Sequence, residues 1–250
     1  MRMKTLIAAT AATAVIAGAG TVQAEELKLK AGFFIGAKKS LFRQAFDKFA
    51  DELNAQCKGQ VQITQVVSRE AVPSRQIPNA LKRGVIGIAG APPSYFSGLV
   101  PGAAGFTAPR VDAATQRKNG AYKLIDDALG KRANAHLIAQ YGFGVRFHIF
   151  TSKPVKSLAD FKGMKLRTSN TYKAFFAALG AQPISMSRRE IFTAMERGVV
   201  GGFANLNSEV KALGLGEVVK YRIDPSFYDT IVWIAINKGV WDKMTAAQKS

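Results

Sequence analysis

The feature that most constrains the fold is a regular alternation of strand-like and helix-like segments, which begins at residue 27. In strand-like segments apolar residues alternate with polar ones or form short runs, whereas in helix-like segments they recur every three or four positions. Such alternation is typical of an α/β fold with mixed, largely parallel sheets. The predicted strands are 27–34, 61–67, 85–89, 136–140, 145–151, 164–167, 199–204 and 229–236. The predicted helices lie between Ser40 and Gly59, at 74–83, at 113–129, at 157–163, before Gly180, after Ser187 and from Lys238 onward.

A short internal likeness indicates two similar halves. The sequence LKRGVIG at 81–87 resembles MERGVVG at 195–201, and each combines a helix end, a glycine stop and a short buried strand. The same pattern also fits a common helix-to-strand connection that occurs twice by chance. We predict a first lobe of residues 25–146 with a return segment at 229–250, and a second lobe of residues 147–228. A cleft between two such lobes is the expected place for a ligand.

The N-terminus has the three parts of a secretory signal. A basic start, MRMK, precedes an alanine-rich apolar run, and TVQA at 21–24 provides small residues before a cleavage site. The run is too short and too rich in alanine for a spanning helix, although a membrane anchor is the alternative interpretation. We therefore predict that residues 1–24 are a signal peptide and that the mature protein is periplasmic.

The charge of the chain favours small anions over nucleic acid. The sequence has 35 lysines and arginines against 17 acidic residues, a formal net charge of +18. The basic residues occur singly or in pairs between apolar residues, whereas nucleic-acid-binding proteins concentrate them in stripes or tails. We expect attraction of anionic small molecules or of a negative partner surface, and no nucleic-acid partner.

The composition and the motifs argue against catalysis. One cysteine, Cys57, excludes a disulfide framework and a cysteine-based zinc site, and two histidines make a multi-histidine metal centre improbable. The sequence has no G-x-S-x-G, H-E-x-x-H or Walker motif. We predict no catalytic residue, no cofactor and no metal ion. The alternatives are a secreted periplasmic hydrolase, which would use His136 or His148 as a base, and a sensory binding module on the same fold.

The sharpest candidate site is KLRTSN at 165–170. Leu166 faces the predicted core, so Arg167 points the other way at the carboxyl end of its strand, where open α/β sheets bind ligands. An arginine there offers a planar fork that matches a carboxylate. The pattern fits equally well an arginine in a surface or interlobe salt bridge. Asn170 and Tyr172 follow closely and are further candidates, although packing in the core or at the rim explains Tyr172 equally well.

The same region resembles a known family. The sequence SLADFKGMKLR at 157–167 is similar to the pattern s-l-x-D-l-k-G-l-k-i-R, and 179–184 and 190–200 continue the likeness. Together they resemble the extracytoplasmic solute-binding subunit of TRAP (tripartite ATP-independent periplasmic) transporters, the dicarboxylate-binding type. The likeness extends from residue 27 to residue 250, with GQV, RGV and GLVP agreeing upstream.

This resemblance implies two α/β lobes that close on an organic acid. It assigns the carboxylate contact to Arg167 and a second ligand contact to Asn205, and it places Arg146 close to the position of a second ligand-binding arginine. It further implies a monomer that works with TRAP membrane subunits, in uptake driven by an ion gradient and without ATP hydrolysis by this chain.

The sequence departs from the family pattern at three points. Gly87 and Gly201 stand where the family usually has aspartate, and the sequence ends inside the first helix after the long strand, where relatives continue. From the last departure we expect a chain that is truncated at its C-terminus and closes its lobes less firmly.

Overall fold

The computed structural model describes residues 25–107 and 109–250. The predicted signal peptide, residues 1–24, lies outside the described residues. Within the described part, no helix combines the length and the apolar character that a membrane crossing requires.

The strands of the described residues form two five-stranded sheets. The predicted strands are present, but those predicted at 85–89, 199–204 and 229–236 begin three residues later. In chain order the strands are β1 Leu27–Phe33, β2 Val61–Val66, β3 Ile88–Ala91, β4 Ala135–Tyr141, β5 Arg146–Thr151, β6 Lys165–Thr168, β7 Gln182–Ser185, β8 Gly202–Asn205, β9 Tyr221–Asp229 and β10 Val232–Asn237.

Helices pack around both sheets and connect most of the parallel strands. The predicted helix at 113–129 is two helices, because Gly120 takes a left-handed backbone with φ of 84° and begins the second one. The α-helices are α1 Leu41–Gln56, α2 Ile77–Lys82, α3 Ala113–Lys118, α4 Ala121–Ala133, α5 Lys173–Ala178, α6 Ile191–Glu196, α7 Asn207–Ala212, α8 Lys238–Lys243 and α9 Ala246–Lys249. Short 3₁₀ turns include Pro93–Gly98, Asn170–Tyr172 and Arg188–Glu190.

The two sheets have the same plan. The strand order is β2-β1-β3-β10-β4 in the first sheet and β7-β6-β8-β5-β9 in the second. In each, the first three strands run parallel and the last two pairings are antiparallel. The predicted α/β class with mixed sheets is confirmed. Parallel pairing does not predominate, however: it makes up four of the eight pairings among the described residues, because β5 and β10 cross between the sheets and enter them in the opposite direction.

We call the halves built on these sheets the first and the second lobe. The first sheet takes strands from residues 27–141 and 232–237, and the second takes those from 146–229. The predicted lobe boundaries, at 146/147 and 228/229, fall at the ends of β5 and β9, and they stay a prediction.

The first lobe holds the larger hydrophobic core. Helix α1 buries Phe42 and Phe46 against the sheet, and the Phe46 ring stacks on Phe33 with 4.7 Å between centroids. A side chain at Gly90 would place its Cβ 2.5 Å from the Phe33 ring, so this close packing requires glycine. Burial of each such ring stabilises the fold by about 2–3 kcal/mol. The second lobe instead has two smaller clusters, one of which contains Leu166.

Candidate functional site: a cationic cavity between the lobes

A cavity of about 100 Å³ lies between the two lobes. Both lobes contribute aromatic side chains. The first lobe adds Arg75 and small residues, and the second adds two arginines and most of the remaining polar groups. No aspartate or glutamate is among the described residues that line it. The residues that matter most below are Phe34, Arg75 and Tyr95 from the first lobe and Arg167, Arg188 and Asn205 from the second.

Arg167 is the central polar group of the cavity. Strand alternation on β6 directs Leu166, which is fully buried, into the core of the second lobe and Arg167 to the opposite face. The Arg167 side chain is only 4% exposed. Its Nε and Nη2 donate to the carbonyl oxygen of Met186 at 3.2 and 2.9 Å, and Nη1 donates to the Tyr172 hydroxyl at 3.1 Å.

These contacts leave part of the Arg167 guanidinium free. A guanidinium has five N–H donors, so about two remain, one on each terminal nitrogen. Among the described residues no carboxylate lies within salt-bridge distance of Arg167, which differs from the alternative of a surface or interlobe salt bridge. A free N–H on each terminal nitrogen leaves the guanidinium able to donate to the oxygens of a carboxylate.

The electrostatic surroundings of Arg167 are strongly positive. Burial lowers the pKa of its guanidinium, and the nearby charges of Arg188 and Arg75 lower this pKa further, while Tyr172 and Tyr95 act in the opposite direction. Arginine nevertheless stays protonated at neutral pH. The cavity therefore contains a buried positive charge without an acidic partner, and such a charge is costly until an anion pairs with it.

Arg188 is held differently, by a buried carboxylate. Its Nη2 lies 2.8 Å from Oε2 of Glu209, a residue of α7 that is fully buried. The other carboxylate oxygen of Glu209 accepts a hydrogen bond from the Ser40 hydroxyl of the first lobe. Glu209 thus positions an arginine at the cavity and links the two lobes.

Asn205, the last residue of β8, offers a second free donor. It is 1% exposed, and its Oδ1 accepts from the backbone N–H of Leu206 at 3.0 Å and from Arg188 at 3.4 Å. Its Nδ2 is buried and has no hydrogen-bond partner among the described residues. Because unpaired buried donors are rare in folded proteins, this amide is a good candidate for a ligand contact.

The structure brings four of the five predicted site residues to the cavity. Asn170 and Tyr172 line it from the 3₁₀ turn that follows β6, together with Arg167 and Asn205. Tyr172 is also buried among aromatic rings, as the interpretation of this residue as a packing residue expects. The roles of these residues toward a ligand stay predictions.

Arg146 is the predicted site residue that the structure places elsewhere. It is exposed and lines a separate surface depression with Arg110, Asp112 and Asp229. Its neighbour Phe147 lines the cavity instead, because successive side chains of β5 point to opposite faces. Arg146 therefore takes no part in the function proposed below.

The cationic residues that the sequence analysis missed are Arg75 and Arg188. Arg188 follows Ser187, which forms a capping box with Glu190 at the start of a 3₁₀ turn. This turn lies at the same edge of the second sheet as Arg167. Arg75 comes from the segment between β2 and α2, and its guanidinium lies 5.6 Å from the centre of the Tyr95 ring. No local pattern separated either arginine from the other surface cations.

Neither histidine lines the cavity. His136 stacks on Trp241 and lies 3.0 Å from a carboxylate oxygen of Asp126, while His148 lies 2.9 Å from Asp224. Within the described residues no group of three histidine, cysteine, aspartate or glutamate side chains is arranged to hold a metal ion.

Comparison with known proteins decides the family. The family profile DctP, bacterial extracellular solute-binding protein family 7, matches residues 34–250. The chain belongs to this family. The likeness to TRAP solute-binding subunits that the 157–167 pattern indicated is thereby confirmed.

Individual members of family 7 show how far the likeness extends. The solute-binding protein RD1_1052 of Roseobacter denitrificans is 24% identical over 256 residues, 98% of this chain and 77% of the relative. Its crystal structure, with bound L-galactonate, aligns with a TM-score of 0.75 at 22% identity and covers 90% of this chain and 76% of that one. The two-lobed fold is therefore confirmed.

Two further solved structures show the same fold. A TRAP periplasmic solute-binding protein of Ralstonia eutropha, with bound (S)-2-acetolactate, is 25% identical with a TM-score of 0.75. One from Desulfovibrio salexigens, with bound orotic acid, is 22% identical with a TM-score of 0.76. Each alignment covers 89% of this chain and 73% of the other. The expected truncation stays a prediction.

Proposed function

We propose that this protein captures a small organic acid in the periplasm and delivers it to TRAP membrane subunits for ion-driven uptake. The observation that carries the proposal is Arg167, a buried arginine with two free N–H donors, no acidic partner and a position between two lobes. A ligand carboxylate supplies the missing charge and accepts from both free donors.

The rest of the cavity fits the remainder of such a ligand. The unpaired Nδ2 of Asn205 donates to a carboxylate, carbonyl or hydroxyl oxygen. Phe34 and Tyr95 cover the carbon skeleton from the first lobe, so both lobes contact one molecule. The net charge of +18 attracts anions over a longer range and speeds their capture.

The relatives support the chemical class and the compartment. L-Galactonate, 2-acetolactate and orotic acid, the ligands named for the three solved proteins, are all small acids. Relatives described as solute-binding proteins also favour binding without catalysis, and the hydrolase alternative lacks a histidine at the cavity. The membrane subunits and the periplasmic location rest on the family.

The test is calorimetric titration of the mature protein with acids that first pass a thermal-shift screen. L-Galactonate, 2-acetolactate and orotate are the starting probes, and a ligand at one hundred times its Kd adds about 2.7 kcal/mol of stability. Arg167→Ala should weaken binding of the best acid about 30- to 1000-fold, because one partner of a buried charge pair is lost.

Two controls keep this result specific. Arg83→Ala removes an equal charge from an exposed position outside the cavity and should leave the affinity within about twofold. Arg167→Lys keeps the charge without the planar fork and should recover only part of the affinity. Undiminished binding by a correctly folded Arg167→Ala protein contradicts the proposed function.

A further inference from the structure

A second chamber adjoins the cavity. It has a volume of about 390 Å³ and lies where the loop after β2 faces the 3₁₀ turn Arg188–Glu190 across the lobes. Its lining shares Phe34, Tyr95, Arg75, Arg167 and Arg188 with the cavity, so the two spaces are neighbours.

Arg69 is the residue that distinguishes the chamber from the cavity. It lines the chamber and a neighbouring surface depression but not the cavity, and it is half-buried. Its Nε is fully buried without a hydrogen-bond partner in the described part of the chain. Its side chain lies against the backbone of Gly36, where an added Cβ would stand 2.8 Å from Arg69 Cδ. The Arg69 side chain therefore packs against the backbone of the first lobe and keeps N–H donors available.

The chamber concentrates positive charge without matching acids. Arg75 and Arg189 join Arg69 and Arg188 in its lining, and none of the described residues that line it is acidic. Two carboxylates contact these arginines without lining the chamber: Glu209 pairs with Arg188, and the exposed Glu70 lies 3.4 Å from Arg189. Arg69 and Arg75 have no carboxylate within salt-bridge distance among the described residues.

The arginines also affect one another. Burial lowers the pKa of Arg69, and the charges of Arg189 and Arg188 lower this pKa further, while Tyr95 and the carboxylate of Glu70 act in the opposite direction. Like charges that converge from both lobes oppose lobe closure unless an anion lies between them. Guanidinium forks match the oxygen geometry of carboxylate, phosphonate or sulfonate groups.

We propose that this chamber is a second oxyanion subsite, with Arg69 as its specificity-determining residue, and that it takes the second anionic group of the ligand held by Arg167. The inference rests on the proposed function, because it extends the same site. A ligand with one carboxylate neutralises Arg167 but leaves Arg69 and Arg75 uncompensated. A ligand with two separated anionic groups neutralises Arg167 in the cavity and Arg69 in the adjoining chamber, and it joins the lobes through both.

The experiment compares acids of equal chain length that differ in one anionic group. Succinate is paired with butyrate, glutarate with pentanoate, and 3-phosphonopropionate extends the series to a tetrahedral head group. Calorimetry on the mature protein should show the dianion binding about 10- to 100-fold more tightly than its monoanionic partner, the range expected for added charged hydrogen bonds.

Arg69→Ala should remove most of that dianion preference while it changes binding of the monoanions by less than about twofold. Arg69→Lys should keep part of the preference, because it retains charge without the fork. Arg83→Ala, which removes an exposed arginine outside the chamber, should leave the ratio as it is in the native protein.

Several results overturn the inference. It fails if no dianion binds, if monoanions bind as tightly as dianions, or if Arg69→Ala leaves the ratio unchanged. It also fails if inorganic phosphate strengthens binding of butyrate while succinate has no advantage, because a free ion then fills the chamber. Arg167→Ala separates the two proposals: its failure to weaken any acid contradicts the proposed function, whereas an unchanged ratio in Arg69→Ala removes only the subsite.

Discussion

The two lobes use one scaffold but differ at the strand ends that face each other. The likeness between 81–87 and 195–201 is the same connection in both lobes. Gly87 N–H donates to the carbonyl of Lys30 at 2.8 Å, and Gly201 N–H donates to the carbonyl of Lys165 at 2.8 Å. Both segments therefore lead from a helix into the central strand of a sheet with the same strand order.

The shared backbone shows where the lobes diverge. With Lys30 equivalent to Lys165, Gly32 of β1 takes the place of Arg167 in β6, and Ala91 of β3 takes the place of Asn205 in β8. A Cβ at Gly32 would lie 2.5 Å from Ile86, so the first lobe fills this place with its core. At these two places the second lobe thus has an arginine and an asparagine that line the cavity, where the first lobe has glycine and alanine.

The largest expected effect comes from moving the arginine to the equivalent place in the first lobe. Gly32→Arg should lower the free energy of unfolding by more than about 4 kcal/mol, because it combines overpacking with a buried unpaired charge. Urea denaturation followed by circular dichroism measures the loss. Gly216→Arg, at an exposed glycine with open space around it, is the control and should change stability by less than about 0.5 kcal/mol. A Gly32→Arg protein of native stability would mean that the equivalence is wrong.

The next effect compares a buried ion pair within the second lobe with an exposed ion pair between the lobes. Glu209→Ala should cost about 3 kcal/mol, because it leaves Arg188 partly buried without its carboxylate. Glu70→Ala removes the exposed partner of Arg189 and should cost less than about 1 kcal/mol. Thermal unfolding of both variants in one buffer gives the comparison. Equal losses in the two variants would argue against a structural role for the buried carboxylate.

The smallest effect tests the shared part of the scaffold. Gly84 and Gly198 have φ values of 74° and 69° at the same point of the repeated connection. Replacement of either by alanine should cost about 1–2 kcal/mol, because a side chain disfavours the left-handed backbone. A Cβ at Gly198 meets nothing within 4 Å, and at Gly84 only the Asn237 amide at 4.0 Å, so the two losses should be similar. If the two substitutions shift the midpoint of urea denaturation by amounts that differ severalfold, the two connections are not equivalent.

The sequence predicted the inner strands well because their side chains are consistently apolar. The missed strands, β7 and β9, lie at the two edges of the second sheet. They contain Pro183 and Pro225 and are partly exposed, so their hydrophobic pattern is weak. The start of β3 was predicted three residues early because Val85 is apolar yet 56% exposed in the turn.

The candidate site was predictable only where one element determined it. Arg167 followed from strand alternation and from its place at a strand end. Arg146 lies one position before Phe147, which lines the cavity, and a shift of one residue along a strand reverses the face of every side chain. Arg69, Arg75 and Arg188 converge from separate loops of both lobes, and such a convergence depends on tertiary contacts that no local pattern carries.

The bond between Ser40 and Glu209 has a consequence for unloading. Glu209 and its arginine partner belong to the same lobe, and only a neutral hydroxyl reaches them from the other. When the lobes part, the Arg188–Glu209 pair stays intact within the second lobe, and the ion pair that has to break is the exposed one between Glu70 and Arg189. Opening therefore breaks about one hydrogen bond at this point, which costs about 1.5–3 kcal/mol. This cost is small enough for the ligand to dissociate on a biological timescale.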